Sequence, residues 1–144
     1  MSKPDMAVCL FRQGFSCSQA VAAAFAEGLG LDKDAALRLS QPFGGGIARR
    51  ADWCGAMTGA FLVLGLKHGR TKAEDAAARD RTYALVGEFI DRFTARHGHF
   101  RCKDLLGCDI GTPEGRKIAD EKKLHQTRCE DFVRDAAVIL EEIL

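Results

Sequence analysis

Six cysteines stand out in this chain: Cys9, Cys17, Cys54, Cys102, Cys108 and Cys129. Thiols in such number suit redox exchange or metal ligation, and their spacing removes several versions of each. There is no Cys-x-x-Cys, so the local signatures of a thioredoxin-like motif and of a zinc ribbon are missing. There is no Cys-x-x-Cys-His, so covalent haem attachment is not expected. Cys102 and Cys108 form the only close pair. Any larger constellation must be gathered from distant parts of the chain.

Four of the six fall near expected helix starts. Cys17 follows Ser16, Cys54 lies two residues after Asp52, Cys102 opens a short turn, and Cys129 lies two after Thr127. Helix N-termini carry partial positive charge, which favours thiolate over thiol. Arg49 and Arg50 precede Cys54, Arg101 precedes Cys102 and Arg128 precedes Cys129. On this reading Cys54 is the attacking thiol, with its pKa lowered, and Cys17 or Cys129 is its partner. The two sulfurs of Cys17 and Cys54 should then converge. The plainer account is that cysteine is a small residue often found in cores; Cys9, in an apolar stretch, is assigned to that account.

Weaker candidates surround these. Gly44-Gly-Gly46 before Arg49 and Arg50 reads as an anion-binding loop or, more plainly, a flexible connection, since the full P-loop signature is missing. His97 and His99 flank a helix-ending glycine near Cys102, as metal ligands or as solvated loop residues. His68 and His125 read as surface, and Glu141 and Glu142 as a solvated face.

The elements that must position the thiols all read as helix. Met6 to Phe15 opens the chain. Ser16 caps a helix from Cys17 to about Gly28, and Asp32 caps one from Lys33 to Ser40. Pro42 and the three glycines break the chain. Asp52 opens a fourth helix, Trp53 to about Lys67, apolar on every side and therefore central. Within it Gly55 and Gly59 are spaced Gly-x-x-x-Gly, the mark of a close backbone approach or of a cofactor contact. Thr71-Lys-Ala-Glu74 is a capping-box pattern for a long fifth helix to about Arg96, with Tyr83, Val86, Ile90 and Phe93 as its buried stripe. Cys102 to Leu106 reads as one turn. Thr112-Pro113 opens a polar helix to about Leu124, and Thr127-Arg-Cys-Glu130 is a second capping box for the last helix.

At 144 residues, 47% hydrophobic and 28% charged, the sequence suits a single globular domain over 1–144. The expected architecture is all-α, a compact bundle of about six or seven helices around the glycine-containing one. A net charge of +1 gives no bulk field for nucleic acid or an anionic membrane. The longest uncharged apolar run, Trp53 to Leu66, is fourteen residues, short of the about twenty that span a bilayer. No signal-peptide core follows the start, so a cytoplasmic location is expected. A homodimer is also expected, through Ile139, Leu140, Ile143 and Leu144 of the last helix.

The motifs taken together resemble a known family. Phe15-Ser-Cys17-Ser-Gln-Ala-Val21, Gly44-Gly-Gly46-Ile, Cys54-Gly-Ala-Met-Thr-Gly59-Ala, Cys102-Lys-Asp-Leu-Leu-Gly107-Cys-Asp, and Cys129 with Val133 and Ala136-Ala137 are similar to the redox-active family named for its C_GCAxxG_C_C pattern. This chain reads Cys-Gly-Ala where the label reads Gly-Cys-Ala. The resemblance implies that Cys17, Cys54, Cys102 and Cys129 are the family's four cysteines. Redox activity in that family is itself an inference from the cysteines, and no substrate comes with it. A likeness to a domain of split-Soret cytochromes implies haem or iron–sulfur partners. Two readings follow. One is a thiol–disulfide redox protein, a candidate oxidoreductase acting on a redox partner or a small-molecule substrate. The other is an iron–sulfur or other metal module ligated by Cys17, Cys54, Cys102 and Cys129, with Gly55 and Gly59 against a cofactor.

Overall fold

The computed structural model describes residues 1–144. It is all-helical, with eight α-helices rather than six or seven: α1 (Lys3–Arg12), α2 (Cys17–Ala26), α3 (Lys33–Ser40), α4 (Gly55–His68), α5 (Ala76–His97), α6 (Cys102–Leu106), α7 (Pro113–Glu121) and α8 (Glu130–Ile143). The count exceeds the expectation because the single turn Cys102–Leu106 is a helix in its own right. No helix is long and apolar enough to cross a membrane.

Local chemistry sets several starts where the sequence puts them. The Ser16 hydroxyl accepts from the Gln19 N–H while the Gln19 side chain accepts from the Ser16 N–H, a full capping box on α2. The Asp32 carboxylate accepts from the Ala35 N–H, and the Thr112 hydroxyl from the Gly115 N–H with Pro113 just inside.

Elsewhere the starts differ from expectation. Helix α5 begins at Ala76, because the Asp75 carboxylate accepts from the Ala78 N–H and outcompetes Thr71 as cap. Helix α4 begins at Gly55, with Cys54 as its N-cap and no side-chain capping bond; neither Asp52 nor Trp53 belongs to it. Helix α8 has no capping box. It continues from a π-helical turn, His125–Cys129, so Cys129 is followed by helix but preceded by it too.

The core forms around α4, whose residues Gly55 to Ala60 are all buried. Its most extensive partner is α2, nearly every residue of which is buried. The glycines explain the approach. A Cβ on Gly59 would lie 2.6 Å from the Ser18 carbonyl oxygen and 3.0 Å from its Cα, so only glycine admits the start of α2 there. Helices α5 and α8 close the other side. Phe89 and Phe93 are fully buried and Phe132, Val133, Ala136, Ile139 and Leu140 face them. Trp53, Phe61, Phe89, Phe93 and Phe132 form a continuous run of ring contacts.

Four side chains sit elsewhere than expected. Tyr83 is 68% exposed, because the first turns of α5 run past the packed part of the bundle; the stripe starts one turn later and centres on Phe89 and Phe93. Cys9 is exposed, because α1 turns Ala7, Val8 and Leu10 inward and leaves Cys9 on the outer face. Ile139 and Leu140 are fully buried in the chain's own core, so half of the face expected to carry a dimer contact is already covered.

Candidate functional site

Three contacts gather four cysteines. The first joins α2 to α4. A Cβ on Gly55 would fall 2.5 Å from the Cys17 Sγ, so the Cys17 sulfur rests on the residue that follows Cys54. The second is a single antiparallel bridge between Trp53 and Arg101. Across it the Cys54 N–H donates to the Phe100 carbonyl at 2.9 Å and the Cys102 N–H to the Asp52 carbonyl at 2.6 Å. That pairing holds Cys54 and Cys102 within one residue of the same crossing. The third comes from Arg128, whose guanidinium donates to the Leu105 carbonyl at 3.0 Å and ties the turn carrying Cys129 to α6.

Cys17, Cys54, Cys102 and Cys129 consequently line one cavity of about 1140 Å³. That volume is somewhat above the usual range for a small-molecule site. Gly55 also lines it, whereas Gly59 faces the backbone of Ser18. All six cysteines are free thiols. Cys108 is partly buried beside this group, and Cys9 lies apart from it.

The segment 44–51 forms part of the cavity wall and is not a loose connection. Gly45, Gly46, Ile47, Ala48 and Arg49 all have positive φ, between 49° and 72°, and Ala51 follows at 58°. It is a left-handed turn, tied by bonds from the Ala48 N–H to the Pro42 carbonyl (2.9 Å), Ala51 to Gly45 (3.1 Å) and Asp52 to Gly46 (2.9 Å). Each non-glycine residue in that region costs roughly 1–2 kcal/mol, so the surrounding packing must hold it. The three glycines signalled a special backbone; nothing signalled that left-handedness would continue through Ile47, Ala48 and Arg49.

Burial governs the thiols, which corrects the expectation of a depressed Cys54 pKa. Desolvation pushes Cys54 well above the ordinary thiol range, and the nearby Cys17 sulfur adds to it. The N–H groups of Ala56 and Met57 at the start of α4 pull the other way without winning. Arg49 and Arg50 do not offset that burial. Cys17 is also raised by burial, but the N–H groups of Gly45, Ser18, Cys17 itself and Ala56 all favour its thiolate. Cys102 is pushed up to about 12 by burial, then by the neighbouring Cys17 and Cys108 sulfurs. Cys129 is raised by burial and by Cys17 and Cys102, with only Arg128 opposing. Because Cys17 acts on the other three, a second thiolate is disfavoured wherever the first one forms. Arg101 does not join this balance: it lies 3.5 Å from Asp52 and over the Phe100 ring.

No three of the chain's His, Cys, Asp and Glu side chains come close enough together to hold one ion. The four thiols surround a cavity and do not share a centre. His97 is engaged elsewhere, 2.8 Å from the Asp135 carboxylate between the Phe93 and Phe132 rings.

The family model described as "Putative redox-active protein (C_GCAxxG_C_C)" matches residues 15–143. No curated protein and no solved structure matches the chain. The chain belongs to the C_GCAxxG_C_C family, and its match takes in the four cavity cysteines.

Proposed function

We propose that this chain is a thiol–disulfide redox protein whose chemistry takes place in the cavity lined by Cys17, Cys54, Cys102 and Cys129. The observation that carries the reading is their convergence from four separate elements onto that one cavity. Buried thiols with raised pKa values are strongly protonated when reduced, and a disulfide is the uncharged product such a site accommodates most easily.

Among the four, Cys17 is the better attacking group, since the N–H groups of Gly45, Ser18, Cys17 itself and Ala56 favour its thiolate, whereas at Cys54 the Cys17 and Cys102 sulfurs add to burial. This reverses the order suggested by helix starts alone. The Cys17 thiolate attacks one sulfur of a substrate disulfide, forming a mixed disulfide and releasing one substrate thiol. The Cys54 thiolate then attacks the Cys17 sulfur, displacing the second substrate thiol. The protein loses two electrons and two protons, and the substrate disulfide gains both. Cys102, beside Cys54 across the backbone bridge, and Cys129 are the further resolving candidates.

The test is a thiol count on protein purified without air and equilibrated against a disulfide/dithiol buffer. The expected result is two thiols lost and regained reversibly, with Cys17→Ser and Cys54→Ser each abolishing the reversible pair. A count that never changes overturns the reading. A brown protein with visible absorption, whose four cavity thiols react only after the colour is lost, would establish the metal module instead.

A further inference from the structure

The same cavity carries an uneven set of charges. Arg12, Arg49 and Arg116 line it, with Asp120 and Glu130 as the carboxylates. Their partners differ. Arg12 is engaged by Glu130, Nη2 to Oε1 at 2.5 Å and Nε to Oε2 at 3.1 Å. Arg116 donates one bond to the Ile110 carbonyl at 3.2 Å and meets no carboxylate. Arg49 has no ion pair at all. Two guanidinium groups are thus unmatched against the single carboxylate of Asp120.

The position of Arg49 is set by the left-handed turn. A Cβ on Gly45 would lie 2.9 Å from the Arg49 Cγ and 3.0 Å from its Cα. The stem of Arg49 therefore rests on Gly45, and the Gly45 N–H favours the Cys17 thiolate. The glycine and the arginine stem are in direct contact, and both share the cavity wall with the Cys17 sulfur. A group joined to the Cys17 sulfur would lie beside the residue that supports Arg49. Guanidinium is the side chain best suited to a carboxylate in such a place.

Resting on the thiol–disulfide reading, we propose that this cavity selects anionic low-molecular-weight disulfides, holding a substrate carboxylate on Arg49 and Arg116 while the S–S bond meets Cys17. With 3,3′-dithiodipropionate, two protein thiols become one disulfide and the reagent leaves as two molecules of 3-mercaptopropionate.

The test compares three disulfides of similar size on the reduced protein: dithiodipropionate, 2-hydroxyethyl disulfide and cystamine. Each rate is divided by that of 2-mercaptoethanol with the same reagent, which removes intrinsic reactivity. The anionic reagent should exceed the cationic one by about tenfold, the effect of one charge-assisted contact. Arg49→Gln should collapse that ratio and Arg49→Lys should restore part of it. Equal normalised rates, or a ratio unchanged in Arg49→Gln, overturn the proposal and leave the redox reading standing. Calorimetry with suberate, a dicarboxylate of matching length without the S–S bond, separates the two. Suberate should bind the wild type, should bind Arg49→Gln more weakly, and should be favoured over 1,8-diaminooctane. If none of the disulfides oxidises the protein while suberate still binds through Arg49, anion selection stands and the redox reading falls. If suberate does not bind the wild type, the proposal fails.

Discussion

Cys17 and Cys54, and Cys102 and Cys129, are two pairs of the same residue lining the same cavity. What differs is the backbone around them. The first pair sits where two longer helices begin, with the N–H groups of Gly45, Ser18 and Ala56 favouring the thiolates. The second pair has burial and neighbouring sulfurs, opposed only by Arg128 at Cys129: α6 is a single short turn, and Cys129 continues out of a π-helical one. The comparison teaches that a cysteine near a helix start gains acidity only if the start is real and its N–H groups are unspent. Cys129 looked equivalent to Cys17 in the sequence, and it lacks that condition.

The largest effect expected from breaking the first region is mechanical. Gly55→Ala places a methyl 2.5 Å from the Cys17 Sγ, and Gly59→Ala places one 2.6 Å from the Ser18 carbonyl oxygen. Each should destabilise the fold by about 3 kcal/mol, because α2 cannot retreat without opening the core. Urea unfolding measures it; a loss under about 1 kcal/mol would mean that the α2–α4 approach is not fixed by these glycines.

A smaller effect belongs to the second region. A thiol whose folded pKa lies above its unfolded value holds its proton more tightly in the folded state. Its stabilisation is complete below the unfolded value of about 9 and is lost as pH rises toward the folded value of about 12 for Cys102. Stability should therefore fall as pH rises above about 9, and Cys102→Ala should flatten part of that fall in urea titrations at pH 8, 9 and 10. An identical slope in the variant would remove burial as the cause.

The smallest change is a gain. Gly87 lies inside α5 with nothing within 4 Å of an added Cβ. Gly87→Ala should stabilise by roughly 0.5–1 kcal/mol through helix propensity alone. Its contrast with Gly55→Ala sharpens the claim that glycines near the cavity are there for space.

Much of the helical order was legible because it is local. Ser16, Asp32 and Thr112 act on N–H groups two or three residues away, and the apolar character of α4 needs only its own residues. The gathering of the thiols was not legible. It depends on pairing residues 52–54 with 100–102, almost fifty positions apart, and on a left-handed turn that two ordinary residues and an arginine adopt only under the pressure of packing. The burial that raises the thiols was equally hidden, since Trp53 and Met57 compete with N–H groups of the same helix start. Cys9 failed differently: its neighbours are apolar, but one helical step of about 100° decides which of them faces inward.

The central claim is that the Cys17 side of the cavity, with its N–H groups, supplies the reactive sulfur. Timed alkylation of the reduced, metal-free protein with iodoacetamide, read cysteine by cysteine by mass spectrometry, tests it most directly. Exposed Cys9 should label first. Among the four cavity thiols Cys17 should lead, with Cys102 and Cys129 slower by about tenfold or more and all rates rising with pH beyond the free thiol value of about 8.5. Labelling of Cys102 or Cys129 as fast as Cys17 would contradict the account.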